Sequence, residues 1–446
     1  MPFEHPPKKQ LHTEGYSVKI LVIGSGGREH AIVWKLAQSP RKPTLYCAPG
    51  NAGIESLAIC VPIKDDDLAG LKAFVQSEKI DLTVVGPEAP LALGIVDEFR
   101  ISKLKVFGPT KGAARIEASK VFSKDIMTRA KILTARAQSF DQVAPALAYL
   151  DQHELPVVVK ADGLAQGKGV VVATTREEAK QALRDSMEQG RFGQAGQRVL
   201  IEQFLDGEEL TIMAFTDGLT VVPMLPAQDH KRVGDGDRGP NTGGMGAYCP
   251  APLGTKALQE QVTRQVLYPA VEALSRMGCP FQGVLYAGLM IVRGTPYVLE
   301  FNARMGDPET QVVIPLLKTD LLEVIEAVVE HRLDQLAVDW HDDTVVCVVM
   351  TSEGYPGPYQ TGRTIHGLRR TTDATCMVFH AGTARTGNEV VTAGGRVLGV
   401  IGRGTTLESA QAEAYCVTKS IAFEGAHYRT DIASRAFPTM YNAEGD

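Results

Sequence analysis

Glu300 and Asn302 stand two residues apart in the stretch YVLEFNARMGDPETQ, residues 297–311. Side chains alternate across a strand, so both oxygen-bearing groups share one face. Two hard oxygen donors side by side suit Mg2+ that completes its shell with phosphate oxygens. Arg304 keeps the same parity, and its guanidinium can neutralise a phosphate or carboxylate beside that ion. An ordinary half-exposed strand would also carry a polar row. The polar run Gly306–Thr310 that follows directly argues for chemistry instead.

Two further segments suit a nucleotide. The apolar run PVVVK ends in Lys160, and Gly163, Gly167, Lys168 and Gly169 precede a second run, VVVA. A glycine-rich hairpin of this kind can fold its N–H groups and a lysine charge over a triphosphate, although it is equally the composition of a plain hairpin. The spacing is not that of a P-loop. In RVLIEQFLDGEEL, Glu202 and Glu209 flank Phe204 and Leu205. Such a segment offers an apolar slot, backbone polar groups for an adenine edge and a carboxylate for a ribose; a solvated edge strand is the alternative.

A glycine turn, Gly24–Gly27, lies between the apolar run VKILVIG and the helical pattern REHAIVWKLAQ. It provides either a tight strand-to-helix connection or an anion site at a helix N-terminus. A dinucleotide fold wants a carboxylate about 20 residues on, at the end of the second strand. The second strand ends instead in Ala48–Asn51, which disfavours a nicotinamide oxidoreductase. The third ends in Gly86–Pro90, a second loop at the same sheet edge. The two loops together suit a phosphorylated sugar better than a dinucleotide.

These residues need elements to hold them. A chain of 446 residues implies about three domains. Alternating strands and helices from Ser17 predict a doubly wound parallel sheet over 17–116, after a loose polar extension at 1–16. Strands joined by hairpins predict an α+β unit over 117–338, opening with one polar helix at 117–131, and a small mixed α/β domain over 339–446. The expected class is therefore α/β and α+β multidomain. With 46 Lys+Arg against 52 Asp+Glu, the net charge of −6 gives no general attraction for nucleic acid or an anionic membrane. Seven scattered cysteines with no C-x-x-C pair read as reduced thiols. The absence of an apolar leader or span from the sequence points to the cytoplasm.

In order along the chain, GGREHA (26–31), GPEAPL (86–91), KADGLA (160–165), QDHKR (228–232), GPNTGGMGAY (239–248), EFNAR (300–304) and GDPETQ (306–311) closely resemble the phosphoribosylamine glycine ligase family, the glycinamide ribonucleotide synthetases. The likeness runs through nearly everything after residue 17. It implies an ATP-grasp fold with a mobile lid at about 133–200 in the central domain. It implies ATP, Mg2+ or Mn2+, glycine and 5-phosphoribosylamine as the molecules handled, with a monomer or dimer sufficient. By the same resemblance, Lys120 and Lys160, with Gly163, Gly167 and Gly169, contact ATP phosphates. Glu202 and Leu205 hold the adenine edge, Glu209 the nucleotide ribose, and Glu300 and Asn302 the metal. Gly26, Gly27, Gly86, Pro87 and Glu88 receive the phosphoribosylamine. Asp229, Lys231, Arg232, Asn241 and Gly243 belong to substrate-side loops, and the catalytic groups are Arg304, Lys160 and Asp229. Many ATP-grasp enzymes carry another metal carboxylate where this chain has Gly288, a departure that leaves the number of protein ligands open.

The implied chemistry is carboxylate activation by ATP followed by attack of an amine. Its first step brings two anions together, so fixed positive charge is the main requirement. Arg304→Ala is expected to abolish glycine-dependent ADP release with the fold intact. A non-catalytic nucleotide-binding scaffold, or an ATP-grasp ligase for another small carboxylate, are the rival possibilities.

Overall fold

The computed structural model describes residues 17–164, 169–368 and 375–437. Its N-terminal sheet is wholly parallel, in the order Ile59–Cys60, Thr44–Pro49, Lys19–Gly24, Leu82–Val85, Val106–Phe107. These strands are short and apolar along their whole length because helices cover both faces. The strand order reverses at Lys19–Gly24, so the Gly24–Gly27 and Gly86–Glu88 loops leave neighbouring strands at the same edge. The expected doubly wound unit is present. One detail differs: Glu88–Leu93 is helical, with Pro87 as its N-cap, where the sequence suggested only a loop. Pro90 falls in the first turn, where a missing N–H costs little.

Two antiparallel sheets follow. One contains Ala137–Phe140, Val199–Gln203, Val157–Ala161 and Val170–Ala173. With the helices Val143–Gln152 and Arg176–Met187 it builds its own core around Leu150, Val159, Leu183 and Ile201. The other is ordered Val221–Pro223, Glu208–Thr216, Gly283–Val292, Thr295–Asn302. Its last pairing contains an irregularity: Gly288 faces Glu300 but Leu289 faces Val298, leaving Leu299 as an extra residue. Such a bulge reverses the alternation beyond it. Val298 points into the core, and without the bulge Glu300, two residues on, would follow it there. With the bulge, Phe301 takes the core position, and Glu300 and Asn302 turn to the other face.

The expected single helix at 117–131 is two helices, Lys111–Ala118 and Lys120–Arg129. Ser119 breaks them by adopting an extended conformation; its Oγ accepts from the Phe122 N–H at 3.2 Å and donates to Asp162 at 3.1 Å. A serine serves better as a cap than as an interior helical residue, and here it places Lys120 at the first helical position.

The last sheet joins Thr344–Thr351, Arg396–Gly404 and Cys376–His380 to two short strands from earlier in the chain, Gln228–Asp229 and Gly246–Cys249. Helix Leu407–Thr418 packs on it. Between the two early strands runs the hairpin of Arg232–Gly234 and Arg238–Asn241. It is tied to the C-terminal segment by Arg429, fully buried, which bonds Asp237, Asp431 and the Arg232 carbonyl. Among the described residues no helix is long and apolar enough to cross a membrane.

Candidate active site

Register alone brings a polar face together on the bulged sheet. Glu209, Thr211 and Met213 on one strand oppose Met290, Gly288 and Tyr286 on the next, and Gly288 and Tyr286 oppose Glu300 and Asn302. The Glu300 carboxylate makes no hydrogen bond or ion pair within the described residues, and neither does the Asn302 side chain. Burial would raise the Glu300 carboxyl, yet Lys231, Lys160, Lys120 and Arg304 outweigh it and hold the pKa below the usual glutamate range. An ionised carboxylate and a neutral amide oxygen, both uncommitted, fit a hard divalent cation. No cluster of three or more His, Cys, Asp or Glu suited to a metal exists among the described residues. Gly288 leaves room where a side chain would crowd Glu300: a Cβ there would sit 3.3 Å from the Glu300 Cγ.

The lysines approach from the other sheet. Lys160 Nζ donates to the Leu299 carbonyl at 3.1 Å, the very residue extruded by the bulge. It also pairs with Glu202 at 2.9 Å, and Lys124 pairs with the other Glu202 oxygen at 3.2 Å. Glu202 is buried, and both its oxygens are engaged by ammonium groups, so its first task is to hold two lysines in place. Lys120 donates to the Gly163 carbonyl at 3.0 Å, and burial lowers its pKa against the opposing pull of Glu300. Gly163 itself packs against Ala195, where a Cβ would meet the Ala195 Cβ at 2.5 Å. The Gly169 carbonyl accepts from the Ala161 N–H at 2.8 Å, closing the Val157–Ala173 hairpin. Gly167 lies outside the described residues. Leu205 is half-buried just beyond the Glu202 strand.

Arg304 is embedded in carboxylates. Its Nη2 lies 2.8 Å from Glu117 and its Nε 3.4 Å from Glu88. Glu117 uses its second oxygen to accept from the Ala303 N–H at 2.7 Å, gripping backbone and guanidinium together. Burial raises the Glu117 carboxyl although Arg304 opposes it. For Glu88 the balance falls the other way: burial is outweighed by Arg304 and Arg28, and its pKa drops to about 2. Arg28 in turn lies 2.5 Å from Glu29 and donates to the Met305 carbonyl at 3.2 Å.

That arrangement revises the glycine turn. Glu29 Oε2 accepts from the Gly26 N–H at 2.6 Å, and the side chain fills the space beside Gly24 and Gly86. A Cβ at Gly24 would lie 2.6 Å from the Glu29 Cδ, and one at Gly27 the same distance from the Gln311 Nε2. The turn is glycine-rich to admit Glu29 and Gln311, and the Gly26 N–H is not free for an anion. Negative charge at this helix start is supplied by the protein itself.

The remaining sequence candidates fall into two groups. Lys231 pairs with Glu209 at 2.5 Å, and Asp229 adjoins them. Continuing the Thr211–Ala227 bridge sets Asp229 opposite Glu209. Arg232 and Asn241 face each other in the anchored hairpin, where the Arg232 side chain donates to the Gly239 carbonyl at 2.7 Å. Among the described residues it makes no bond to the Glu300 face. Gly243 accepts from Arg396 at 2.6 Å, and Arg396 also pairs with Asp307 at 3.0 Å.

Sequence reasoning missed Glu117, Lys124, Glu29, Tyr286, Glu309 and Arg396. Glu309 lay in the motif after Arg304 but was given no task; its Oε1 accepts from the Tyr286 hydroxyl at 2.7 Å. Glu117 could have been sought as the carboxylate any buried arginine requires, though its position cannot be read from spacing.

The chain matches three family models in succession: the phosphoribosylglycinamide synthetase N domain over residues 18–117, its ATP-grasp (A) domain over 118–310 and its C domain over 345–435. It is 50% identical over 429 residues to the phosphoribosylamine–glycine ligase of Escherichia coli O6:H1, covering 95% of this chain and all of the relative. The crystal structure of phosphoribosylamine–glycine ligase from Thermotoga maritima superposes with a TM-score of 0.80 at 33% identity, covering 93% of this chain and 100% of that one. The biotin carboxylase domain of the Hydrogenobacter thermophilus 2-oxoglutarate carboxylase, solved with MgADP, shares the fold at TM-score 0.72 and 14% identity over 92% of this chain and 91% of its own. A parallel N-terminal sheet, a two-sheet centre with lysines facing a bulged Glu–x–Asn strand, and three successive domain matches lead to one conclusion: this chain belongs to the phosphoribosylglycinamide synthetase family.

Proposed function

We propose that the chain joins glycine to 5-phosphoribosylamine at the expense of ATP, giving glycinamide ribonucleotide, ADP and phosphate. The observation that carries this is the bulged strand that presents the uncommitted Glu300 carboxylate and Asn302 amide on one face, with Lys160 bonded to the Leu299 carbonyl at 3.1 Å beside them. Glycine's carboxylate is a poor electrophile. Its oxygen attacks the γ-phosphorus of ATP, ADP leaves, and the resulting acyl phosphate is attacked by the amine of phosphoribosylamine. The C–N bond forms, phosphate departs and the amine gives up a proton. Mg2+, or Mn2+ in its place, would be held by Glu300 and Asn302 and would supply charge neutralisation at the phosphates. Lys120 and Lys160 bind phosphate oxygens and Arg304 orients the reacting carboxylate. The region from Leu205 towards Glu209 accepts the nucleoside. The loops at Gly86–Glu88 and Asp229–Gly243 receive the sugar and the glycine, with contacts at Gly26 made around Glu29 rather than to the Gly26 N–H.

The unit at about 133–200 is proposed as a lid, a role its separate hydrophobic core supports. Closing it over ATP would exclude water that would otherwise hydrolyse the acyl phosphate. The deciding assay measures ADP and phosphate from ATP, Mg2+ and glycine, with and without freshly generated phosphoribosylamine. Release that depends on both substrates is the expected result. ATP binding without release under any of these conditions would leave only a scaffold.

A further inference from the structure

Asp229 is only 6% exposed, yet its carboxylate has no hydrogen bond or ion pair among the described residues. The charged groups that face it are Lys231, Glu309, Glu209 and Arg435. All four are already committed. Lys231 is bound to Glu209 at 2.5 Å, and Glu309 accepts from the Tyr286 hydroxyl at 2.7 Å. Arg435 reaches only the backbone carbonyl of Asp229, at 3.1 Å, and pairs its side chain with Asp237. Asp229, Glu309 and Glu209 together outnumber the two cations, Lys231 and the Arg435 already paired with Asp237, and a buried carboxylate without a partner is costly unless a cation completes it. Lys231 also faces Glu300, so Asp229 borders the face on which the substrate carboxylate would be activated.

We propose that Asp229 is the receptor for the α-ammonium of the amino-acid substrate, with Glu309 forming the acidic wall of that subsite. The inference rests on the ligase reading above. An ammonium offers three donors and no acceptor, matching a pocket of carboxylates. Held as a cation, the amine has no lone pair for attack, so activated glycine is kept from condensing with a second glycine.

The test follows ADP release with ATP, Mg2+ and phosphoribosylamine, using either glycine or glycolate, which replaces the amine with a hydroxyl. Wild type should favour glycine in kcat/KM by ~100-fold or more, the scale of a lost charge-assisted hydrogen bond. Asp229→Asn should raise the glycine KM by a similar factor, leave the ATP KM within about 2-fold and largely erase the preference over glycolate. Calorimetric ATP binding reports that the variant is folded. Comparable wild-type use of glycolate overturns the proposal without relying on any variant. So does an unchanged glycine KM in Asp229→Asn, or an effect confined to the phosphoribosylamine KM. Potassium stimulation that disappears in the variant while the glycine KM stays fixed would assign the pocket to a metal cation instead. Absence of glycine-dependent release in wild type would instead fell the ligase reading itself.

Discussion

Glu117 and Asp229 are buried to nearly the same degree, 9% and 6% exposed, and burial pushes both carboxyls upward. Their surroundings could hardly differ more. Glu117 spends one oxygen on Arg304 and the other on a backbone N–H, whereas Asp229 spends neither. The same contrast separates Glu202, which bridges two lysines, from Glu300, which touches none of the four cations that surround it. Burial therefore does not identify a ligand-binding carboxylate in this molecule. What distinguishes the two kinds is whether the fold has already satisfied the oxygens. Glu117 and Glu202 hold cations in place, whereas Glu300 and Asp229 are the carboxylates that the proposed reaction would set against metal and substrate.

Removing the central cation should break this division most sharply. Arg304→Ala is expected to lower glycine-dependent kcat by ~10^3-fold or more, as loss of a transition-state charge contact does. The fold is expected to persist at lower stability, because the change leaves Glu117 in the interior without its guanidinium partner. Orphaning one member of a buried pair costs about 3–5 kcal/mol. Pairing the change with Glu117→Gln should recover thermal stability without recovering turnover, a result read by Tm and kcat together.

Glu300→Gln tests the open side. It keeps the shape and removes the charge, so half-saturating Mg2+ should rise by roughly 10–100-fold while the folded state is unharmed. An unchanged Mg2+ requirement would mean that the uncommitted oxygens are not metal ligands. On the completed side, Glu117→Ala should reduce kcat by about 10-fold through a loosened Arg304 and should also lower Tm. Glu117→Asp should restore part of both, whereas a loss of stability with normal kcat would reduce Glu117 to scaffolding.

The smallest effect is the most direct comparison. The Asp229 carboxyl is pushed up to about 7 by burial, relieved by Lys231 and reinforced by Glu309 and Glu209. A raised acid pKa means that ionisation weakens the folded state: the cost is absent below the ordinary aspartate range, grows as pH rises towards 7 and is constant above it. Asp229→Asn should therefore raise the Tm of the ligand-free protein by a few degrees, with the gain increasing between about pH 4 and pH 7. Glu117→Ala shifts Tm the opposite way. In wild type the glycine KM should fall as pH rises through about 7, and this inflection should be missing from Asp229→Asn.

Much of this site was legible because its signals are local. The two-residue spacing of Glu300 and Asn302 places them on a common face whatever surrounds the strand, and Lys160 at the end of an apolar run marks a charge at a sheet edge. What spacing did not reveal shares a cause. The helix expected at 117–131 is divided because Ser119 finds Asp162, 43 residues away. Glu202, expected at the adenine edge, pairs with Lys124 and Lys160, which lie 78 and 42 residues away, so these partners could not be read from spacing. The first glycine turn looked like an anion cradle, yet Glu29, three residues past Gly26, fills it.

By itself, then, the amino-acid order determined the succession of units, the parallel and antiparallel sheets, the family resemblance and the shared face of the candidate metal ligands, since periodicity and motif spacing are properties of neighbours along the chain. Only the tertiary structure decided which face that was, through the extra residue at Leu299, and which buried charges were already paired. Electrostatic partners are chosen by distance in space after the sheets have packed, and no spacing rule carries that information.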